Sequence, residues 1–190
     1  MSELINQAIV FATNAHDGQY RKFSAIPYIM HPMEVAAIIA SMTPDEHIIA
    51  AGLLHDVVED CGVQPEEIRT LFGPRVYALV MGETEDKMDN RPAAETWEER
   101  KRDSLLALKY TKDTDLRFLW MADKLSNVRS FYREYLLSGD ALWLRLHQKD
   151  KSKQEWYYRT IAEYLEPLSK TAAYMEYVEL VDKLFGGKKK

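Results

Sequence analysis

The segment Ile48-Ile49-Ala50-Ala51-Gly52-Leu53-Leu54 constrains this chain more than any other. It follows Pro44-Asp45, which suits the opening of a helix, and it is apolar on almost every side, so a helix built from it has no face to give to water. Such a helix belongs at the centre of a bundle. Yet it runs directly into His55-Asp56-Val57-Val58-Glu59-Asp60. Carboxylates held there need a cation, a metal or a dense hydrogen-bond network, because desolvation disfavours their charged form. Read as one continuous helix ended by Gly62, the segment puts Glu59 four residues from His55 and three from Asp56, with Asp60 four from Asp56. All four then project toward one site.

The remaining periodicity is helical as well. Ser2 caps a helix carrying Leu4, Ile5, Ala8, Ile9 and Ala12 and running to about His16. A polar stretch through Pro27 leads to His31-Pro32, with proline as the first residue of a helix that reaches Met42. Pro65 starts a short helix, and Gly73-Pro74 separates it from another that begins near Arg75. Asp86 to Thr96 holds Asn90 and Pro92 with little apolar periodicity and reads as an exposed loop. Trp97 to Tyr110 and Leu116 to Leu137 are amphipathic, the second capped from Asp113, Thr114 or Asp115 and closed by Gly139. Lys151 to Phe185 is helical again, interrupted at Glu166-Pro167, and residues 186–190 are expected to fray. No alternating pattern or repeat supports a sheet or a solenoid. The expected fold is all-α, a compact multi-helix bundle forming a single domain over residues 1–185.

Composition narrows the function classes. The 25 Lys and Arg against 30 Asp and Glu leave a formal charge of −5, which argues against a general nucleic-acid binder. The one cysteine, Cys61, cannot close an intramolecular disulfide and suits a reducing, cytoplasmic setting. No stretch approaches the roughly 18 apolar residues of a membrane span. The start, Met1 to Phe11, has no basic region followed by a long apolar run, so neither membrane nor export is expected. Four Trp and eleven Tyr fit a core as readily as a subunit interface, which leaves the oligomeric state open.

Two further polar residues stand where apolar ones are expected. His31 sits at a helix start, and Asp123 follows Leu119-Trp120-Met121-Ala122. Both are candidate ligands alongside His55 and Asp56. On its own an adjacent His-Asp pair often arises by chance, and a lone buried His is usually satisfied by a hydrogen bond in a core. Order and context are what raise the pattern above chance. His31, then His55-Asp56, then Asp123 resembles the HD superfamily of phosphohydrolases, in which four such residues hold a divalent cation. The strings Ala15-His16-Asp17-Gly18-Gln19-Tyr20-Arg21-Lys22, Pro27-Tyr28-Ile29-Met30-His31-Pro32, Leu53 to Asp60 and Ala122-Asp123-Lys124-Leu125-Ser126-Asn127 are similar to the hydrolase domain of RelA/SpoT-type proteins and to stand-alone small alarmone hydrolases. The similarity covers roughly residues 1 to 165.

That resemblance implies hydrolysis of guanosine 3′,5′-bispyrophosphate, ppGpp or pppGpp, to GDP or GTP and pyrophosphate, with a role in the stringent response. It implies Mn2+ at His31, His55, Asp56 and Asp123. Mixed imidazole and carboxylate ligation is compatible with manganese, and iron and zinc fit the same donors. Glu59 and Asp60 are implied as the catalytic base pair; defective domains of the family lose it, and this chain keeps it. For substrate contacts the resemblance implies Arg21 and Lys22, beside purine and phosphate, then Lys124 and Asn127 after the last ligand, and Tyr157 by a looser match. Taken alone, Arg21 and Lys22 are surface charges, Lys124 and Asn127 a solvated helix face, and Tyr157 a core aromatic. The Asn90 to Ala94 stretch is longer than the pattern, and the helical tail after Pro167 lies outside it. No appended synthetase domain is expected after the matched region. Two alternatives accompany the leading one: an HD site acting on another phosphorylated nucleotide, since fold does not settle substrate, and a non-catalytic nucleotide sensor, against which the intact Glu59-Asp60 pair speaks.

Overall fold

The structure, a computed structural model, describes residues 2–22, 24–88 and 90–187. These residues form α-helices joined by turns and two short 3-10 segments; an isolated antiparallel bridge between Tyr20 and Pro27 is the one extended pairing among them. The all-α expectation holds. No helix among the described residues is long and apolar enough to cross a membrane. The chain divides into two compact units, Met1–Glu85 with Lys112–Asp123, and Asp86–Thr111 with Lys124–Lys190.

The first unit holds α1 (Glu3–Ala15), α2 (Met30–Ala40), α3 (Glu46–Leu54), α4 (Val57–Cys61) and α5 (Pro65–Glu83). Ser2 caps α1 by accepting from the Ile5 N–H, and Asp45 caps α3 by accepting from the His47 N–H. As its composition demands, α3 is the centre: it packs against α1, α2 and α5, and Ile48, Ala50, Ala51, Leu53 and Leu54 are buried. Gly52 lets α2 approach, since a Cβ there would stand 2.5 Å from Ile39 Cδ1. Inside α5 the backbone turns at Gly73, where φ is 85° just before Pro74, at the break expected from those two residues.

The expected continuous helix through His55 is interrupted. Its first part ends at Leu54, Asp56 takes φ −94° and ψ −8°, and α4 starts only at Val57. His55 Nδ1 lies 2.9 Å from the Gly52 carbonyl and competes for the oxygen that an unbroken helix offers to the Asp56 N–H. Gly62 then closes α4 in the left-handed region, its N–H bonded to the Val57 carbonyl.

The second unit is built from α6 (Ala93–Tyr110), the continuation of α7 (Thr114–Ser138) beyond Asp123, α8 (Lys151–Tyr164) and α9 (Ala172–Phe185). Helix α6 begins four residues before the expected Trp97. Pro92 serves as its cap, with its carbonyl accepting from the N–H groups of Glu95 and Thr96, and Ala93, Ala94 and Glu95 are strong helix formers. The expected loop at Asp86 to Thr96 is shorter by those residues, and Thr96 is buried. Trp97, Tyr157, Tyr158, Ile161, Tyr177 and Val181 are also buried, and the Tyr177 hydroxyl donates to the Tyr158 carbonyl at 2.9 Å. A 3-10 turn at Glu166–Leu168 divides α8 from α9 where Pro167 was expected to. Of the tail expected to fray, Gly186 and Gly187 are non-helical and 188–190 lie outside the described residues.

Candidate metal centre

Three chain segments of the first unit bring the polar residues together. At the start of α2, His31 is followed by Pro32 in the first turn, where a missing N–H costs nothing. The break after α3 delivers His55 and Asp56. Helix α7 delivers Asp123 directly after Leu119, Trp120, Met121 and Ala122, each at most 2% exposed. His31, His55 and Asp123 are themselves 3%, 1% and 3% exposed.

The atoms converge closely. His31 Nε2 lies 3.1 Å from Asp123 Oδ1 and 3.6 Å from Asp56 Oδ2. His55 Nε2 lies 3.1 Å from Asp56 Oδ2 and 3.6 Å from Asp123 Oδ1. Two oxygens and two nitrogens therefore face one point. Donor pairs at such separations suit bonds of about 2.1 Å to a common ion. With Nδ1–H donated to the Gly52 carbonyl, His55 Nε2 faces inward, and neither carboxylate approach has the geometry of a directed hydrogen bond. A buried nitrogen aimed at two acid oxygens without a directed partner fits a cation between them. One donor atom from each of His31, His55 and Asp123 can be found within 4.8 Å of the others.

The local field is consistent with that. Burial pushes the His31 imidazole below its ordinary value, against the pull of Asp123 and Asp56. Burial also opposes charge on His55, but Asp56 and Asp123 outweigh it and hold that ring well above. Asp56, although desolvated, is held below the usual carboxylate range by the two imidazoles, His55 first.

Residues 8–139 match the HD domain family. The chain belongs to it. Membership carries the implication of a divalent cation, and His31, His55 and Asp123 form a buried group that could hold one. A guanosine-3′,5′-bis(diphosphate) 3′-pyrophosphohydrolase of Vibrio cholerae is 40% identical over 129 residues, 67% of this chain and 18% of that protein. A GTP pyrophosphokinase rsh of Brucella ovis is 40% identical over 128 residues, 67% and 17%. The chain thus spans less than a fifth of these curated relatives. Among solved structures, lmo0812 from Listeria monocytogenes is 31% identical with a TM-score of 0.71, covering 82% of this chain and 98% of that one. A metazoan ortholog of SpoT, described as hydrolyzing ppGpp, superposes with a TM-score of 0.75 at 24% identity over 98% of each chain, and shares the fold.

Around the HD donors the remaining expected residues fall differently. Glu59, on α4, accepts from the Glu85 N–H at 3.2 Å; burial and then the charge of Asp56 push its carboxyl up. Asp60 is exposed, its carbonyl accepting from Gln19 Nε2 at 3.1 Å. Arg21 is half-buried, its guanidinium 5.6 Å above the ring of Tyr28, while Lys22 is exposed. Lys124 and Asn127 are half-buried on α7 beyond Asp123, in the second unit. Tyr157 is 3% exposed in that unit, against Trp97 and the ammonium of Lys101.

Residue-by-residue reading of the sequence missed Tyr28, Gln19 and His16 as residues that brace Asp56 and Asp60. The Tyr28 hydroxyl donates to Asp56 Oδ2 at 2.7 Å and also reaches Asp60 Oδ2 at 3.3 Å. Burial, and then Asp56, push that phenol far above its ordinary value, so it remains a donor. His16 is buried against the Tyr28 ring, with Gln19 Oε1 2.8 Å and Cys61 Sγ 3.2 Å from its Nδ1. The available signal was position: Tyr28 precedes His31 by three residues, one turn along the chain.

Proposed function

We propose that this chain hydrolyses ppGpp or pppGpp to GDP or GTP and pyrophosphate at a divalent cation, manganese by resemblance, held by His31, His55, Asp56 and Asp123. The observation that carries the reading is the buried pair of imidazoles and pair of carboxylates closing on one point, with Glu59 and Asp60 on the helix that leaves it. The name of the Vibrio cholerae relative supports the choice of substrate. A bound cation supplies Lewis acidity, drawing charge from the 3′-pyrophosphate.

The chain's own groups do the rest. Glu59, raised by its burial, takes a proton from the attacking water. Asp60, held by Tyr28 and Gln19, orients that water. The water oxygen bonds to the nearer phosphorus, the bond to the ribose 3′ oxygen breaks, and that oxygen leaves with a proton. Arg21, over Tyr28, is within one side chain of the metal donors and is assigned to the nucleotide with Lys22. The assignment of Lys124, Asn127 and Tyr157 to substrate rests on resemblance alone.

The test is pyrophosphate release from ppGpp by metal-stripped protein with Mn2+ restored, beside a His55→Ala, Asp56→Ala variant. Manganese-dependent release, lost in the variant, is expected. Metal binding without release from ppGpp would overturn the substrate and direct the search to other phosphorylated nucleotides, and then to a nucleotide sensor.

A further inference from the structure

We infer that Tyr28 is a positioning residue of this centre: its hydroxyl fixes the Asp56 oxygen that faces the cation and, through the same group, holds Asp60 beside it. The inference rests on the cation site proposed above. Asp56 Oδ2 is the oxygen 3.1 Å from His55 Nε2 and 3.6 Å from His31 Nε2, and the same atom accepts from Tyr28 at 2.7 Å. One hydroxyl therefore determines where that oxygen stands. Asp60 Oδ2 lies 3.3 Å from the same phenol, so the donor set and the second acid share a link through a single oxygen atom.

The ring itself is clamped. His16 lies against it with centroids 4.8 Å apart, His31 meets it edge-on at 5.8 Å, and Arg21 covers it at 5.6 Å. His16 is in turn fixed by Gln19, whose amide also donates to the Asp60 carbonyl. The loop from α1 to α2 thus grips Asp60 twice, through main chain and side chain. A hydroxyl held this firmly orients a ligand as the outer hydrogen bonds of metal sites do, and losing such a bond typically costs about 10- to 100-fold in metal affinity or activity.

Tyr28→Phe keeps the ring and removes the hydroxyl; Tyr28→Leu removes both. Mn2+ alone is titrated into each metal-stripped protein by calorimetry after circular dichroism and melting have been recorded, and kcat and KM for ppGpp are measured at saturating Mn2+. In the Phe variant, Mn2+ affinity is expected to fall about 10- to 100-fold. Its kcat falls while KM stays unchanged, because the hydroxyl is bonded to Asp56 and Asp60 and acts through them. The Leu variant loses Mn2+ affinity to the same extent as Phe. Wild-type affinity and kcat in the Phe variant, with the defect confined to Leu, would show that ring packing is the role and overturn the inference. A Phe variant that fails to fold would overturn it too, by making the hydroxyl structural. The Mn2+ titration needs no nucleotide, so a wild-type protein inactive on ppGpp would sink the substrate reading while leaving this result standing.

Discussion

Gly52→Ala tests whether the approach of α2 to α3 sets both stability and the metal centre. An added Cβ falls 2.5 Å from Ile39 Cδ1 and 3.3 Å from Val35 Cγ1, whereas ordinary contact begins at 3.4 Å. The Ile39 methyl must therefore yield by about 0.9 Å, or the helices must part. Ile39 and Val35 are 0% exposed, which leaves the methyl little room to turn. Overpacking of this kind costs about 1–3 kcal/mol. Replacing a mid-helix glycine returns roughly 0.5–1 kcal/mol, for a net loss of about 0–2.5 kcal/mol. In a chain of this size each kcal/mol moves Tm by about 2–4 °C, so a fall of up to about 10 °C is expected. His31 rides on α2 and His55 follows α3, their rings 5.1 Å apart, so parting the helices also spreads the donors. The assay is a thermal melt of the metal-stripped protein beside an Mn2+ titration. A melt above wild type, with unchanged Mn2+ affinity, would refute the reasoning.

Glu59→Gln separates base from ligand and carries a pH signature. The folded-state carboxyl is raised, so the folded protein holds that proton to higher pH than the unfolded chain, and ionising it costs stability as pH rises through the gap between the two values. Gln removes the cost: the metal-free variant melts above wild type at neutral pH, the difference closing as pH falls below the ordinary glutamate value of 4.5. Its turnover falls about 10²- to 10⁴-fold with Mn2+ affinity unchanged; equal melts at neutral pH, or wild-type turnover, would contradict the assignment. Adding Mn2+ at a hundred times its Kd stabilises the folded protein by about 2.7 kcal/mol. That corresponds to a rise in Tm of about 5–11 °C, reversed by chelator and absent from His55→Ala, Asp56→Ala; a rise surviving in that variant would place the cation elsewhere.

Where the sequence was most legible, the pattern had only one cheap solution. An apolar segment without a polar side, Ile48 to Leu54, had to be central, and α3 is buried among α1, α2 and α5. Polar residues stranded in apolar surroundings had to find one another, and His31, His55, Asp56 and Asp123 do. Boundaries were harder to read where two local preferences compete. Pro92 was read as a loop residue, although it equally caps the helix that Ala93, Ala94 and Glu95 favour, and the buried Thr96 and Trp97 favour the helix. Tyr28 was quoted within a motif but given no role, because a tyrosine beside a ligand looks like any other aromatic until the position of its hydroxyl is known.

The break after α3 is the feature a periodicity argument is least equipped to find, since both His55 and Asp56 keep right-handed helical torsions. Its cause is a side chain bonding to its own helix. Because Nδ1–H is donated to Gly52, the other nitrogen of His55 is the one that faces Asp56 and Asp123 and is left to ligate a cation. The same glycine that admits α2 through its missing Cβ thus supplies, through its carbonyl, the acceptor that orients His55. Packing and ligand orientation meet at residue 52, which is why a substitution with no polar atom and no contact with substrate is expected to reach the metal centre.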